Sequence, residues 1–364
     1  MKKVCFFNSI KFWGGGEKLH LEYALEFKKK NYDVVLLSHP RAAITHKAKM
    51  LKLKTHPVVV GSLSFLSPIK LIKLILFFRT QKIDTLIFST SQDMKLGGFA
   101  AKMAGVKQIV YLRGLAVPVK DNLVNRTLFK HVLTHIVANS EETKRMLLKN
   151  LGKHIPSEKV RTIYHGIDLS HANKKAKQLA EIAEKGHGVI LGNAGRLTEQ
   201  KGQENLIRMA RTLKDQQVDF TLFIAGAGER KGALKRLIKE LDLKNDVILL
   251  GFVKDIDSFM QAIDIFLLSS KWEGFGYVLV EAMIQSKPIV AFDITSNPEI
   301  VDNGQTGFLV KNADLMDFAE KTKLLINDKE LRHKMGAKGK SLVEKKFNLQ
   351  DRITEFEHYL LGKN

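Results

Sequence analysis

The sequence predicts an α/β protein built from two doubly wound parallel sheets. Short apolar, β-branched runs alternate with helix-length amphipathic segments. Many of these runs are nearly continuous rather than alternating, as expected of parallel strands covered on both faces. They number about thirteen, where one sheet usually has four to six strands, so two sheets fit better than one.

In the first half the strand candidates are Val4–Phe7, Val34–Leu37, Pro57–Val60, Thr85–Phe88, Ile109–Leu112, Ile136–Ala138 and Val160–Tyr164. In the second they are Val189–Leu191, Phe220–Ala225, Val247–Leu250, Ile265–Leu268, Pro288–Phe292 and Phe308–Val310. The polar stretch His171–Gly188, with Asn173, Lys174, Lys175 and Lys177, interrupts the alternation and marks a junction. The expected division is residues 1–170, residues 171–345 and a C-terminal segment 346–364. Within that segment Leu349–Leu361 sets Ile353, Phe356 and Leu360 at helical spacing, a face suited to packing back on the first domain.

The 364 residues are 45% hydrophobic and 27% charged, which excludes a mainly disordered, collagen-like or coiled-coil chain. The single cysteine, Cys5, excludes a disulfide framework and a Cys-rich zinc site, fits a reducing cytosol, and reads as a core residue. The apolar run after Met1–Lys3 stops at Asn8, so no secretory signal is expected. No stretch approaches the roughly 20 apolar residues of a membrane span.

Charge is unevenly placed. Residues 1–170 hold 29 basic and 11 acidic residues, a net +18, whereas residues 171–364 hold 30 and 27, a net +3. Such an excess attracts polyanions: nucleic acid, acidic lipid headgroups or phosphorylated substrates. The segment Pro68–Arg79 puts Lys70 and Lys73 on one side of a helix that is otherwise mostly apolar. That pattern suits an interfacial helix, but taken alone it reads better as a crossover helix packed on a sheet, and the net +18 of this half shifts the balance toward a membrane surface. Clustered cations gain roughly 1 kcal/mol each near an anionic leaflet.

Open parallel sheets bind ligands outside the carboxyl ends of their strands, so the strand-to-helix loops are the places to look. Gly14-Gly15-Gly16-Glu17 follows the first strand as a loop before the helix Lys18–Lys29. Its glycines permit close backbone approach to a ligand, and the helix offers free N–H groups to an anion. Gly195-Arg196-Leu197 with Lys201-Gly202 follows the strand that opens the second half. Its two cations both suit a diphosphate, Arg as a planar fork and Lys as a point charge. Glu273-Gly274-Phe275-Gly276-Tyr277-Val278-Leu279-Val280-Glu281 sets a carboxylate at a strand end, a glycine turn, and a second carboxylate in the next helix. The turn exposes helix N-terminal amides, and a carboxylate accepts two hydrogen bonds from vicinal hydroxyls. Asp255-Ile256-Asp257 formally matches an acidic metal triplet but reads better as the cap of a helix Ser258–Ala262.

The second and third of these loops resemble the paired motifs of the retaining glycosyltransferases of family 4. That family has the GT-B fold, two Rossmann-like domains facing an interdomain cleft. The two glutamates separated by seven residues are its most specific mark. Further agreements are Gly14–Glu17, Ala138-Asn139-Ser140, Gly166-Ile167-Asp168, Gly226-Ala227-Gly228, Gly251-Phe252-Val253, Pro298-Glu299 and Thr306-Gly307-Phe308. Together they cover nearly the whole chain, most tightly residues 189–310.

The resemblance implies roles at matched positions. Arg196 and Lys201 hold the diphosphate of a nucleotide-sugar donor and stabilise it as leaving group. Glu273 contacts the donor sugar, with amides near Gly274, Phe275 and Gly276 on sugar or phosphate. Glu281 binds the ribose hydroxyls, the backbone near Val253 meets the base, and Glu299 contacts the sugar. Gly15, Gly16 and Glu17 meet the donor from the first domain. Two departures stand out. Where family members commonly carry a histidine near the reacting sugar, this chain has Arg113, which suits a phosphate or acceptor anion and cannot serve as a base near neutral pH. The segment Ile294–Pro298 lacks the glycine pair usual before the matching glutamate.

The expectation is therefore a metal-independent, retaining enzyme without a cofactor, moving sugar from a nucleotide-diphosphate sugar to an acceptor hydroxyl. The expected acceptor is anionic and lipid-linked: a bacterial glycolipid, a lipopolysaccharide core or another cell-envelope saccharide. The expected location is the cytoplasm, peripheral on the inner face of the plasma membrane. Rivals are a sugar-nucleotide epimerase or phosphorylase on the same fold, and a basic nucleic-acid-binding protein, for which no recognised binding motif is found.

Overall fold

A computed structural model of the chain describes residues 2–170 and 186–362. It divides into two compact units, one of Met1–His165 with Arg352–Asn364, the other of Gly166–Asp351. The divisions fall at 165/166 and 351/352, against the expected 170/171 and 345/346. Most of the expected junction, residues 171–185, lies outside the described residues.

The first unit is a seven-stranded parallel sheet in the order β3-β2-β1-β4-β5-β6-β7. Its elements run β1 (Lys3–Asn8), α1 (Gly15–Lys29), β2 (Asp33–Ser38), α2 (Ala43–Met50), β3 (Lys54–Pro57), α3 (Pro68–Thr80) and β4 (Thr85–Phe88). Then follow α4 (Ser91–Ala104), β5 (Gln108–Arg113), α5 (Leu123–Thr127), β6 (His135–Ala138), α6 (Glu141–Leu151) and β7 (Val160–Thr162). Central strands such as β4 are buried at every position, which is why they read as continuous apolar runs. Cys5 lies in this core, and burial pushes its thiol far above the usual range.

The edge strand β3 corrects the expected run Pro57–Val60. Pairing runs from Val35 opposite Lys54 to Ser38 opposite Pro57. An edge strand with largely exposed side chains needs no apolar run, so Lys54, Thr55 and His56 hid it. Val58 and Val60 instead pack against the core just beyond the strand.

The helix Leu349–Leu361 lies against the first unit over its greater part. Ile353, Phe356 and Leu360 are buried, and Phe356 meets the rings of Tyr23 and Phe27 at 5.5 and 5.8 Å. Glu357 accepts from Lys30 Nζ and Tyr32 Oη, each at 2.6 Å, and Tyr359 donates to the Lys159 carbonyl at 2.6 Å.

The second unit is a six-stranded parallel sheet in the order β10-β9-β8-β11-β12-β13. Its strands are β8 (Val189–Ala194), β9 (Phe220–Ala225), β10 (Val247–Gly251), β11 (Ile265–Leu268), β12 (Ile289–Phe292) and β13 (Gly307–Val310). Helix Gln203–Asp215 buries Leu206, Ile207, Met209, Ala210 and Leu213 against the sheet. Among the described residues no helix is long and apolar enough to cross a membrane.

One buried group of the first unit is uncompensated. His20 on α1 is fully buried edge-on to Phe6, and neither ring nitrogen has a hydrogen-bond partner. Burial lowers its pKa from 6.5 to about 3, so the fold favours the neutral ring. That contribution is complete above pH 6.5 and is lost as pH falls from 6.5 toward 3. His20→Leu removes this loss. Denaturant unfolding at pH 7 and pH 4.5 is expected to show a smaller acid destabilisation in the variant, by roughly 2 kcal/mol. Equal acid losses in both proteins would contradict the assignment.

Candidate functional site

The second unit gathers its chemistry at the carboxyl ends of β8, β9, β10 and β11. After β8 the chain turns through Gly195, Arg196 and Leu197. This turn is knitted to the segment after β9: Gly195 N–H donates to the Ala225 carbonyl and Leu197 N–H to that of Ala227, both at 2.9 Å. Gly226 N–H donates in turn to Gly251, the end of β10, at 2.7 Å. A Cβ at Gly226 would lie 1.8 Å from the Gly195 carbonyl oxygen, and one at Gly228 2.3 Å from that of Leu197. The glycines are required because two loops share the space of one.

Arg196 itself is exposed, its guanidinium donating to Gln200 Oε1 at 3.3 Å. Its carbonyl accepts from Gln203 Nε2 at 3.0 Å, which ties the loop to the following helix. Gly202 opens that helix at φ +59°, and a Cβ there would meet the Ser269 carbonyl oxygen at 2.3 Å. The same approach brings Lys201 to the loop after β11.

Lys201 Nζ lies 2.6 Å from Glu273 Oε1, with both side chains largely buried. Ser270 Oγ donates to the same carboxylate oxygen at 2.6 Å. Glu273 N–H donates to Thr295 Oγ1 at 3.0 Å, drawing in the segment after β12. Contrary to expectation Glu273 does not end a strand. β11 stops at Leu268, and the loop between is pinned by Lys271 N–H to the Gln200 carbonyl and by Gln200 Nε2 to the Trp272 carbonyl.

Gly274 and buried Phe275 lead to Gly276 at φ +70°, the N-cap of helix Tyr277–Ile284. Glu281 is half-buried on that helix. Glu299 is half-buried on the short helix Asn297–Ile300, and its carbonyl accepts from Lys346 Nζ at 2.7 Å. Val253 follows Gly251, beside the exposed ring of Phe252. Lys201, Glu273 and the segment from Thr295 are thus brought together, with the Arg196 turn on the adjoining loop.

Asp255 caps the helix Ile256–Ala262, accepting from Ser258 N–H at 3.1 Å and Ser258 Oγ at 2.7 Å. Among the described residues no group of three or more His, Cys, Asp or Glu is placed to hold a metal ion.

The remaining candidates belong to the first unit. Helix α1 begins at Gly15 with Gly14 as N-cap, so Gly15 and Gly16 form its first turn rather than a loop. A Cβ at either would meet nothing within 4 Å. Glu17 adds negative charge to a cluster that motif reading missed. Asp93 accepts from Ser9 N–H at 3.0 Å, Ser9 Oγ at 2.5 Å and Thr90 Oγ1 at 2.6 Å. Burial raises its carboxyl to about 6, opposed by those hydrogen bonds and assisted by Glu17. Arg113 ends β5 with a buried guanidinium. It donates to Tyr111 Oη at 3.2 Å and to the Val117 carbonyl at 2.7 Å, while its Nε has no partner.

Residues 174–342 match the profile of the family described as Glycosyl transferases group 1, and residues 13–171 that of Glycosyltransferase Family 4. The chain is 31% identical over 273 residues to the N-acetylgalactosamine-N,N'-diacetylbacillosaminyl-diphospho-undecaprenol 4-alpha-N-acetylgalactosaminyltransferase of Campylobacter jejuni, covering 72% of each protein. It is 27% identical to the capsular polysaccharide biosynthesis glycosyltransferase CapM of Staphylococcus aureus, over 90% of this chain and 89% of that one. Among solved structures, HepE of Anabaena in complex with UDP-glucose superposes with a TM-score of 0.87 over the whole of both chains at 21% identity, a likeness of fold.

The loop packing is testable by substitution. Gly226→Ala forces a methyl into a backbone carbonyl and is expected to cost about 2–3 kcal/mol in denaturant unfolding. Gly15→Ala, in open space, should change stability by no more than about 0.5 kcal/mol. Equal effects at both positions would show that the Arg196 turn is not held by close approach.

Proposed function

Because the chain belongs to the Glycosyl transferases group 1 family and is a glycosyltransferase, we propose that it moves a sugar from a nucleoside-diphosphate donor to a hydroxyl of an anionic, lipid-linked saccharide. The observation that carries the donor assignment is the Lys201–Glu273 contact beside the Arg196 turn. It sets a cation for phosphate next to a carboxylate for sugar hydroxyls, beyond the carboxyl ends of the central strands, where open parallel sheets take ligands.

When the sugar's anomeric carbon parts from the diphosphate oxygen, negative charge grows on the departing phosphate. Arg196 offers a planar fork to it, and Lys201 has three N–H donors, enough for Glu273 and a phosphate oxygen together. Fixed cations at that point lower the barrier. In this reading Glu273 holds the donor sugar, with the amides of Gly274, Phe275 and Gly276 on sugar or phosphate. Glu281 takes the ribose hydroxyls, Glu299 contacts the sugar, and the backbone at Val253 meets the base. The chain's own cations do the electrostatic work without a metal. Retention at the anomeric carbon is part of this reading and is supported by the family resemblance.

Gly15, Gly16 and Glu17 are assigned to the donor from the first unit. Arg113 is assigned to an acceptor phosphate or carboxylate, since a buried guanidinium with only neutral partners gains most from an anion. The UDP-glucose of HepE favours a uridine nucleotide, and the undecaprenol-linked name of the Campylobacter relative favours a lipid-linked acceptor. A cytoplasmic enzyme peripheral on the inner face of the membrane fits that acceptor.

Two measurements test the reading. Nucleoside diphosphates should raise the thermal midpoint of the wild-type protein. Arg196→Ala and Glu281→Ala, on samples verified as folded, should each lower transfer about a hundredfold. Wild-type turnover by both variants would refute the site.

A further inference from the structure

The crossover helix α3 carries two apolar faces, and its packing uses one. Leu74 and Phe78 are buried in the first unit's core, with Leu71, Ile75 and Phe77 packed partly against it. Ile69, Ile72 and Leu76 are each more than half exposed. At 100° per residue these three fall within an arc of about 60°, opposite Leu74 and Phe78. Leu63 and Leu66, on the turn leading into the helix, are also more than half exposed and continue the stripe at intervals of three residues. The turn is anchored to the helix by Lys70 Nζ, which donates to the Val59 carbonyl at 3.1 Å and Ser64 Oγ at 2.9 Å.

Cations flank the stripe. Exposed Lys73 lies on one side of the arc and exposed Arg79 on the other, and Lys82 follows the helix. Between Asp33 and Asp84 the chain has nine basic residues and no acidic one. A crossover helix needs a single apolar face, so sheet packing does not account for the second. An apolar ridge bordered by positive charge alone matches the boundary between anionic headgroups and acyl chains. A protein partner covering so large an apolar patch has no such requirement for one sign of charge.

We propose that the exposed face of α3, with Leu63 and Leu66, is the surface by which this protein docks on an anionic membrane. The proposal rests on the reading of a lipid-linked acceptor and names the element that meets the lipid. The side chains of Ile69, Ile72 and Leu76 enter the acyl boundary while Lys73, Arg79 and Lys82 pair with headgroup phosphates.

The test is flotation with vesicles of phosphatidylcholine alone and with about a third phosphatidylglycerol. Wild type is expected to float with the anionic vesicles and stay in solution with the neutral ones. I69S/I72S/L76S should bind anionic vesicles at least about tenfold more weakly. K73E/K82E should weaken binding in the same direction. Both variants should keep the wild-type thermal shift with a nucleoside diphosphate, which verifies folding and reads the donor site separately. Unchanged flotation of I69S/I72S/L76S would overturn the proposal. So would a wild type indifferent to vesicle charge, or one whose dimer dissociates in I69S/I72S/L76S, which would give the face to a second copy of the chain. Flotation as expected without any nucleotide-induced shift would count against the donor reading and leave the membrane face standing.

Discussion

The ion pair between Lys201 and Glu273 is the constraint on which the second unit's site depends. Two opposite charges stand 2.6 Å apart with most of their surface removed from water. Burying such a pair gains little over apolar packing, whereas removing one partner costs roughly 3–5 kcal/mol. A pair of this kind suits a place where charge will be needed. The geometry around it has the same purpose: Ser270 and Thr295 fix the carboxylate's loop, and Gly202 lets Lys201 approach it. Gly226 and Gly228 hold the Arg196 turn alongside. The contact holds the Lys201 ammonium in place without a ligand; on the proposed donor reading, a phosphate would need little reorganisation of the site.

The two units divide the electrostatic work differently. In the second, acidic and basic residues nearly balance, and Lys201 is held in place by Glu273. In the first, the cations are in large excess and mostly exposed, a distribution that attracts extended anionic surfaces rather than one small ligand. Arg113 is the exception, a buried cation at the end of β5. Buried against Tyr111 Oη and the Val117 carbonyl, it stands apart from the exposed cations of that unit.

Much of the fold was legible because parallel strands buried on both faces leave continuous apolar runs. The strand that escaped, β3, is at the sheet edge and carries Lys54, Thr55 and His56. The motif residues of the second unit were legible by type and spacing. Their contacts were not, because the partners of Glu273 come from positions 201, 270 and 295, on three different loops. The same holds for Asp93 and Ser9, 84 residues apart. The start of α1 at Gly15 was hidden because a glycine run reads as a turn. Sequence also left α3 undecided: an apolar helix reads alike whether it has one buried face or a second left in water, and only burial separates the two.

The claim that Arg196 and Lys201 form a diphosphate site is tested most directly by a crystal structure with a nucleoside diphosphate bound. The account predicts phosphate oxygens within roughly 3 Å of the Lys201 ammonium and the Arg196 guanidinium, with the ribose hydroxyls on Glu281. A nucleotide seated elsewhere, with both cations turned to solvent, would contradict it.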